Sequence, residues 1–434
     1  MPLESPSAIV GAAANGLWGN PAQNRKPYVK AGVELVGNVN RSSRFVLPQA
    51  YAAVHLGHGE LYIGRRKEIN GITDTLLTSG SYALSGNAVP ITQIRIGTKD
   101  YAPLKFTRGV ISVNAFFSHG WFSNTDSIKN SYLHAKALFV RIGKPEWKIR
   151  LYGGMTHYVQ WGGHSNYLGP YFANEGKLAS GWEAFKLAIW PRSETKGGSL
   201  TNYDTLNRTG NHLGSIDFAF DVRLKKSSLL FYVQHPWEDM SGIVFANFPD
   251  GIYGARWQNT ERNRSAGFQL RALTLEYTTT RNQSGPTMPK GYDEYFVNFQ
   301  YLDGWTHQRR VLGTPFFTRY MDSAPAYRNK IAPKSFKSMI NNNSIELIHV
   351  GVVGRFRSGV TVATLLSQSW NYGHPYERGF SLAVKQFSGL LEVTIPNLAA
   401  LNGVSCKASI AYDKGDWLPS GFGGMLTILK RGWF

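Results

Sequence analysis

Cysteine is all but missing from this sequence. Cys406 stands alone among 434 residues, which excludes an intrachain disulfide and any zinc cluster built on several thiolates. Charge is scarce too. Asp, Glu, Lys and Arg make up 17% of the chain, against the roughly 25% usual for soluble proteins. No run of the roughly 18 apolar residues that a membrane-spanning helix needs occurs, and the longest stretches resemble LLFYV at 229–233. The N-terminal MPLESPSAIVGAAANG has no basic region followed by an apolar core. It does not read as an intact secretory signal, so the protein is either cytosolic or expected to have lost its leader.

The usual marks of catalysis are also absent. There is no G-x-S-x-G, no P-loop and no dinucleotide fingerprint, and GNHLGS and GGHSNYLG lack the spacing that cradles phosphate. The acidic residues form no close pair of the kind a glycosidase uses. The 11 histidines are scattered, and His55 and His58 have no carboxylate pair beside them. The segment NYDTLNRTGNHLGSID is rich in Asp, Asn and His, but reads as a polar loop whose side chains cap turns. A non-enzymatic protein without metal or cofactor is the expectation.

What is abundant points elsewhere. Aromatic residues reach 13%, with 12 Trp, 22 Tyr and 24 Phe, and 46 glycines supply many turns. The dominant period is two. In SIDFAFDVRLKK, one face carries Ile216, Phe218, Phe220, Val222 and Leu224, and the other Asp217, Ala219, Asp221, Arg223 and Lys225. EWKIRLYGG sets Trp147, Ile149 and Leu151 against Lys148, Arg150 and Tyr152, and VSCKASIAYD alternates in the same way. Many such segments run about nine to twelve residues, the length of a tilted strand crossing a bilayer. Soluble strands run about five to six.

Soluble sandwiches also alternate. Here aromatic residues gather near segment ends, charges sit mid-strand on the opposite face, and the series continues without a dividing linker. These features predict a single-domain, all-β transmembrane antiparallel barrel over 1–434, with about 18 strands (16–18). The terminal Trp433-Phe434 fits a last barrel strand closing on an aromatic residue at the membrane interface.

The period breaks between Trp161 and Gly214. Within it, SGWEAFKLAIW predicts a helix, with Ser180 as N-cap, Glu183 completing a capping box and Pro191 as the stop. TDTLLTSGSYALSG from Thr73 and KSFKSMINNNS from Lys334 are further irregular segments that could hold short helices. Such insertions belong on the extracellular or lumen side, where function is expected. The formal charge of +19 suits an anion-attracting lumen lined by residues such as Arg150, Arg223 and Arg271, or neutralisation of lipopolysaccharide phosphates. Nucleic acid is not the expected partner.

GGMTHYVQWGGHSNYLGP, FANEGKLASGWEAFKLAIW and LTNYDTLNRTGNHLGSIDFAFDVRL, together with QAYAAVHLGHGELYIGRRKE, resemble the Wzi capsule-assembly family of outer-membrane proteins, in its Bacteroidetes-like branch. The likeness is strongest over 51–67 and 153–224. It implies an 18-stranded outer-membrane barrel with helical insertions that holds capsular polysaccharide in a lectin-like way. Sugars would be held by aromatic stacking and cation pairing. The candidates in the long insertion are Trp161, His164, Tyr167, Tyr171, Trp182, Asp204, Asn207, Asn211 and His212. An anion-preferring pore, or an accessory subunit of a larger export complex, are the alternatives.

Overall fold

The structure, a computed structural model, describes residues 8–23, 26–39, 44–125, 127–192, 200–261, 267–286, 293–328, 339–375, 379–398 and 403–430. The chain opens with β1 (Ala8–Trp18), β2 (Tyr28–Val39), β3 (Arg44–Leu56), β4 (Gly59–Arg65), β5 (Thr92–Thr98) and a two-residue β6 (Ala102–Pro103). Next come β7 (Ile111–Trp121), β8 (Tyr132–Ile142) and β9 (Ile149–Trp161), then helices α1 (Gly181–Ile189) and α2 (Asn202–Leu206). β10 (Asn211–Arg223) and β11 (Ser227–Trp237) precede α3 (Met240–Ile243), β12 (Gly251–Asn259) and β13 (Phe268–Thr279). A long insertion holds β14 (Thr306–His307), β15 (Arg310–Val311), β16 (Thr318–Arg319), α4 (Pro325–Arg328) and β17 (Ile340–Asn342). The chain ends with β18 (Ser344–Phe356), β19 (Thr361–Gly373), β20 (Val384–Ile395), β21 (Val404–Gly415) and β22 (Gly421–Lys430).

Eighteen of these strands form one antiparallel sheet, in which successive strands pair, except that β5 and the two-residue β6 both pair with β7, and β13 joins β18 across the insertion. The inner faces of β7, β8, β9, β10, β12 and β18 meet around one apolar cluster, so the sheet is wrapped as a barrel. Among the described residues β1 and β22 pair on one side only, and both are exposed along nearly their whole length. No described helix is long and apolar enough to cross a membrane; the strands cross it. Trp433-Phe434 lie outside the described residues.

The period-two pattern sorts into two environments. Phe218 and Phe220 on β10 point outward and are exposed, while Asp217, Ala219 and Asp221 between them are buried. Leu273 and Leu275 on β13 face out, and Thr274 and Glu276 face in. Water would penalise that outer face, and a bilayer satisfies it. The connections sort as well. Those over 66–91, 162–210, 238–250 and 280–343 lie at one end, the extracellular one, whereas 57–58, 143–148 and 224–226 are short turns at the periplasmic end.

Two of the long connections turn into the barrel. Tyr82, Ala83 and Ile91 from one, and Tyr295, Phe296, Trp305 and Phe317 from the other, pack against Phe116, Phe139 and Tyr158 on the wall. This apolar plug fills the loop-end half of the lumen. Segment 66–91 is latched to the wall by buried polar groups. The Ile72 amide donates to Asp217 (2.6 Å), the Thr78 hydroxyl and Ser79 amide donate to Glu276 (2.7 and 2.5 Å), and the Leu77 carbonyl pairs with His349 (2.8 Å). Gly71 has a positive φ of 113°, and a Cβ there would strike Gln234 and Asp217, so only glycine lets the loop lie this close. The short helices that TDTLLTSGSYALSG could hold do not form: 73–86 is turns and bends, its amides taken by the side chains of Asp74 and Thr78 within the segment and of Glu276 on the wall. Of KSFKSMINNNS, residues 334–338 lie outside the described residues and Ile340–Asn342 is strand.

Candidate functional site

The insertion between β9 and β10 divides between two places. The first is the outer wall. Odd positions of β7 and β9 and even positions of β8 and β10 face outward, which puts His119, His134, His157, Trp161 and His212 on the lipid-facing side near the loop end. Polar rings there need a cover, and α1 provides it. Ala184, Leu187 and Ala188 of the helix are buried, and Phe185 meets Trp161 at 5.4 Å and His119 at 5.6 Å. His157 and His212 stack at 5.2 Å and share a 2.9 Å hydrogen bond, and the other His212 nitrogen pairs with the Thr209 carbonyl. Lys136 donates to the Ile189 carbonyl at the helix end. Glu183 pairs with Lys186 (2.7 Å), and the Ser180 side chain makes no cap bond, so the expected capping box is absent. Trp182 and Trp190 remain 68% and 72% exposed. The 238–250 loop makes a similar cover over His235, with Phe245 tilted against its ring at 4.4 Å. Together the two covers form a collar outside the barrel.

The second place is the extracellular surface. Tyr171, Phe172, Tyr203 and Phe299 form a cluster of rings. Phe172 and Phe299 stack at 6.2 Å with an 8° interplanar angle, Tyr203 tilts against both at 5.3 and 5.9 Å, and Tyr171 stands edge-on to Phe172 at 5.0 Å. Tyr171 and Phe299 are exposed, and Phe172 and Tyr203 half-buried. The backbone beneath is fixed. Thr201 and Asp204 make a reciprocal capping box on α2, and Gln300 donates to the Phe172 carbonyl (3.0 Å), joining the two long insertions. Burial and the nearby Asp204 carboxylate push the Tyr203 hydroxyl up to about 12, so it stays a neutral donor. Exposed Asn174 and Asn207 and half-buried Asn298 supply polar groups on the same connections.

The nine residues singled out in the sequence therefore separate. Tyr167, Tyr171 and Asn207 are exposed at the extracellular end; His164 is half-buried, with Nε2 2.7 Å from the side-chain Oδ1 of Asn166. Trp161, Trp182 and His212 belong to the outer wall and its cover. Asp204 and Asn211 are buried within the loop packing. Phe172, Tyr203 and Phe299 were not singled out. The aromatic density of 171–203 signalled the first two, while Phe299 comes from a distant insertion with no periodicity. Among the described residues no group of three His, Cys, Asp or Glu is placed to hold a metal ion.

A family model described as "Capsule assembly protein Wzi" matches residues 10–322. The chain belongs to this family. Among solved structures, the Escherichia coli Wzi barrel is 15% identical at a TM-score of 0.58, covering 98% of this chain and 84% of that one. That protein is described as an outer-membrane, carbohydrate-binding β-barrel involved in group 1 capsule assembly. OmpT of Vibrio cholerae is 7% identical at a TM-score of 0.33, with 98% and 96% coverage. No curated protein matches the sequence. The Wzi fold and the lipid-facing belt together make this chain an outer-membrane β-barrel.

Proposed function

We propose that this Wzi-family barrel holds capsular or other surface polysaccharide at its extracellular end and assists its assembly, as a lectin-like, non-enzymatic protein. The observation that carries this reading is the exposed ring cluster of Tyr171, Phe172, Tyr203 and Phe299. The C–H faces of pyranose rings stack on such surfaces, and the neighbouring amides can meet sugar hydroxyls. Because α2 and Gln300 hold the rings in place before a ligand arrives, little ordering cost accompanies binding. On the collar, Trp182 and Trp190 suit the lipid interface and Lys186 and Arg192 suit lipopolysaccharide phosphates. Further subunits of an export complex would also meet the barrel from outside. A pore reading is disfavoured by the plug across the loop-end lumen.

The test is binding of the detergent-purified protein to polysaccharide from its own cell surface, at low and high salt. Saturable binding that weakens about tenfold in a Tyr171→Ala, Tyr203→Ala double variant, a change of about 1.4 kcal/mol, is expected. Binding absent at both salt concentrations, or indifferent to the double variant, overturns the assignment.

A further inference from the structure

Below the plug, the periplasmic half of the lumen has a different character. A cavity of about 590 Å³ lies there, walled by β4, β5 and β7–β12 and roofed by Ile69–Thr73. Its lining carries six cationic side chains, Arg66, Lys67, Arg95, Lys99, Arg150 and Arg256, against the three carboxylates of Glu60, Glu68 and Asp221. Those carboxylates are already engaged. Arg66 bridges Glu60 (2.7 Å) and Glu68 (2.6 Å), Arg95 also pairs with Glu68, and Arg150 grips Asp221. Two cations are left under-compensated among the described residues. Lys99 has no carboxylate partner, only the Tyr28 ring at 5.7 Å. Arg256 reaches Asp74 through Nη1 at 3.4 Å, while its buried Nε has no hydrogen-bond partner.

The Arg256 side chain is half-buried, but its Nε–H is buried and idle, which is costly unless an acceptor arrives. With Glu34 holding Lys67 at 2.7 Å and Asp74 beside Arg256, one positive charge stays uncompensated, and it sets the sign of that acceptor. The lining also tells against a bare ion. Tyr101 and Tyr152 stand edge-to-face at 5.6 Å, with Phe116 and Phe139 beside them, and Asn70, Asn114 and Thr98 add neutral polar groups. Rings, amides and guanidinium forks together suit a sugar bearing an acid group, and the volume falls within the range of about 300–1,000 Å³ typical of ligand sites.

We propose that this chamber is a second binding site, open to the periplasmic end, for an anionic saccharide segment bearing carboxylate or phosphate. Arg256 and Lys99 meet the acid group, and the Tyr101–Tyr152 pair flanks the sugar. The site is separated from the extracellular rings by the plug, so it stands or falls independently of the function proposed above.

The experiment is calorimetric titration of the full chain in detergent with tetragalacturonate, with its neutral methyl ester, with glucose 6-phosphate and with inorganic phosphate. Saturable binding of an acidic saccharide, at least tenfold tighter than the ester, is expected; whether the uronate or the sugar phosphate binds better tells carboxylate from phosphate. Lys99→Gln and Arg256→Gln should each weaken it several-fold, and the Tyr171→Ala, Tyr203→Ala variant should leave it unchanged. Lys99 is exposed near the turn end, so its variant reports on binding even if Arg256→Gln disturbs folding. Equal binding of uronate and ester overturns the proposal. So does saturation by inorganic phosphate with no added affinity for either acidic saccharide, or loss of binding only in the extracellular double variant.

Discussion

The lumen is two rooms built on the same strands. Its loop-end half is closed by fully buried side chains such as Tyr295, Phe296, Trp305 and Phe317, whereas its turn-end half is lined by paired and unpaired ions around an open volume. On β9, Tyr158 faces the plug and Arg150, eight positions earlier on the same face, faces the chamber. The inward parity of a strand therefore specifies only that a residue meets the lumen. What it meets there depends on which connection folds in above it. The plug derives its stability from apolar burial, and the chamber holds paired charges whose attraction is largely offset by the cost of desolvating them.

If that contrast is right, damage to the two halves should differ in scale. Trp305 is fully buried and donates its indole N–H to the Ala83 carbonyl at 2.7 Å. Trp305→Ala should cost the plug about 3–5 kcal/mol. Limited proteolysis should then cut 66–91 and 280–328 while the barrel keeps its heat-modifiable migration, and conductance in planar bilayers should rise. A variant whose loops stay protected and whose conductance stays low would break the comparison.

A smaller effect comes from acid. Burial, helped by Arg65, pushes His307 down to about 4. Its contribution is full above its ordinary value near 6.5 and is lost as pH falls toward 4, which amounts to about 2 kcal/mol between pH 7 and 5. Asp293 runs the other way: burial pushes it up to about 6, so its contribution is full below about 4 and fades as pH rises through 6, about 1 kcal/mol over the same interval. The two largely offset. In Asp293→Asn, protease protection of the plug should fall on going from pH 7 to pH 5; in His307→Asn it should rise. Identical pH profiles in both variants would show that neither group senses the plug.

The smallest effect belongs to the chamber. Replacing both Arg150 and Asp221 by Ala removes the pair whole and leaves no buried charge unpaired, so thermal stability should change by about 1 kcal/mol or less, seen as a near-unchanged unfolding midpoint. A loss as large as that of Trp305→Ala would mean that the chamber, not the plug, secures the barrel.

Much of the wall was legible in the sequence, because lipid outside and a polar lumen inside write opposite chemistries on alternate residues. Phe218 and Phe220 against Asp217 and Asp221 is the plainest case. The plug was not legible. Segments 66–91 and 280–343 are latched by side chains to strands far away in the chain, and such bonds leave no period. The site was partly legible: Tyr171 was named for its place in the long insertion, but Phe299, which completes the ring cluster, arrives from the other long insertion. The position of α1 carried an unread signal. His119, His134, His157 and His212 all fall on the outward parity of their strands, and four polar rings facing lipid require something to cover them.

That cover has a mechanical consequence. Along β20 and β21 the outward parity near the loop end carries the exposed Lys385 and Lys414, so the greasy height of the cylinder stops there. Over β7–β11 the collar instead continues it upward with Trp182, Trp190, Val244 and Phe248. A cylinder with a lopsided hydrophobic height does not stand upright in a bilayer of even thickness; it leans until the mismatch is shared. The lean dips the collar side, and with it the insertion that carries Tyr171 and Tyr203 is drawn toward the membrane surface.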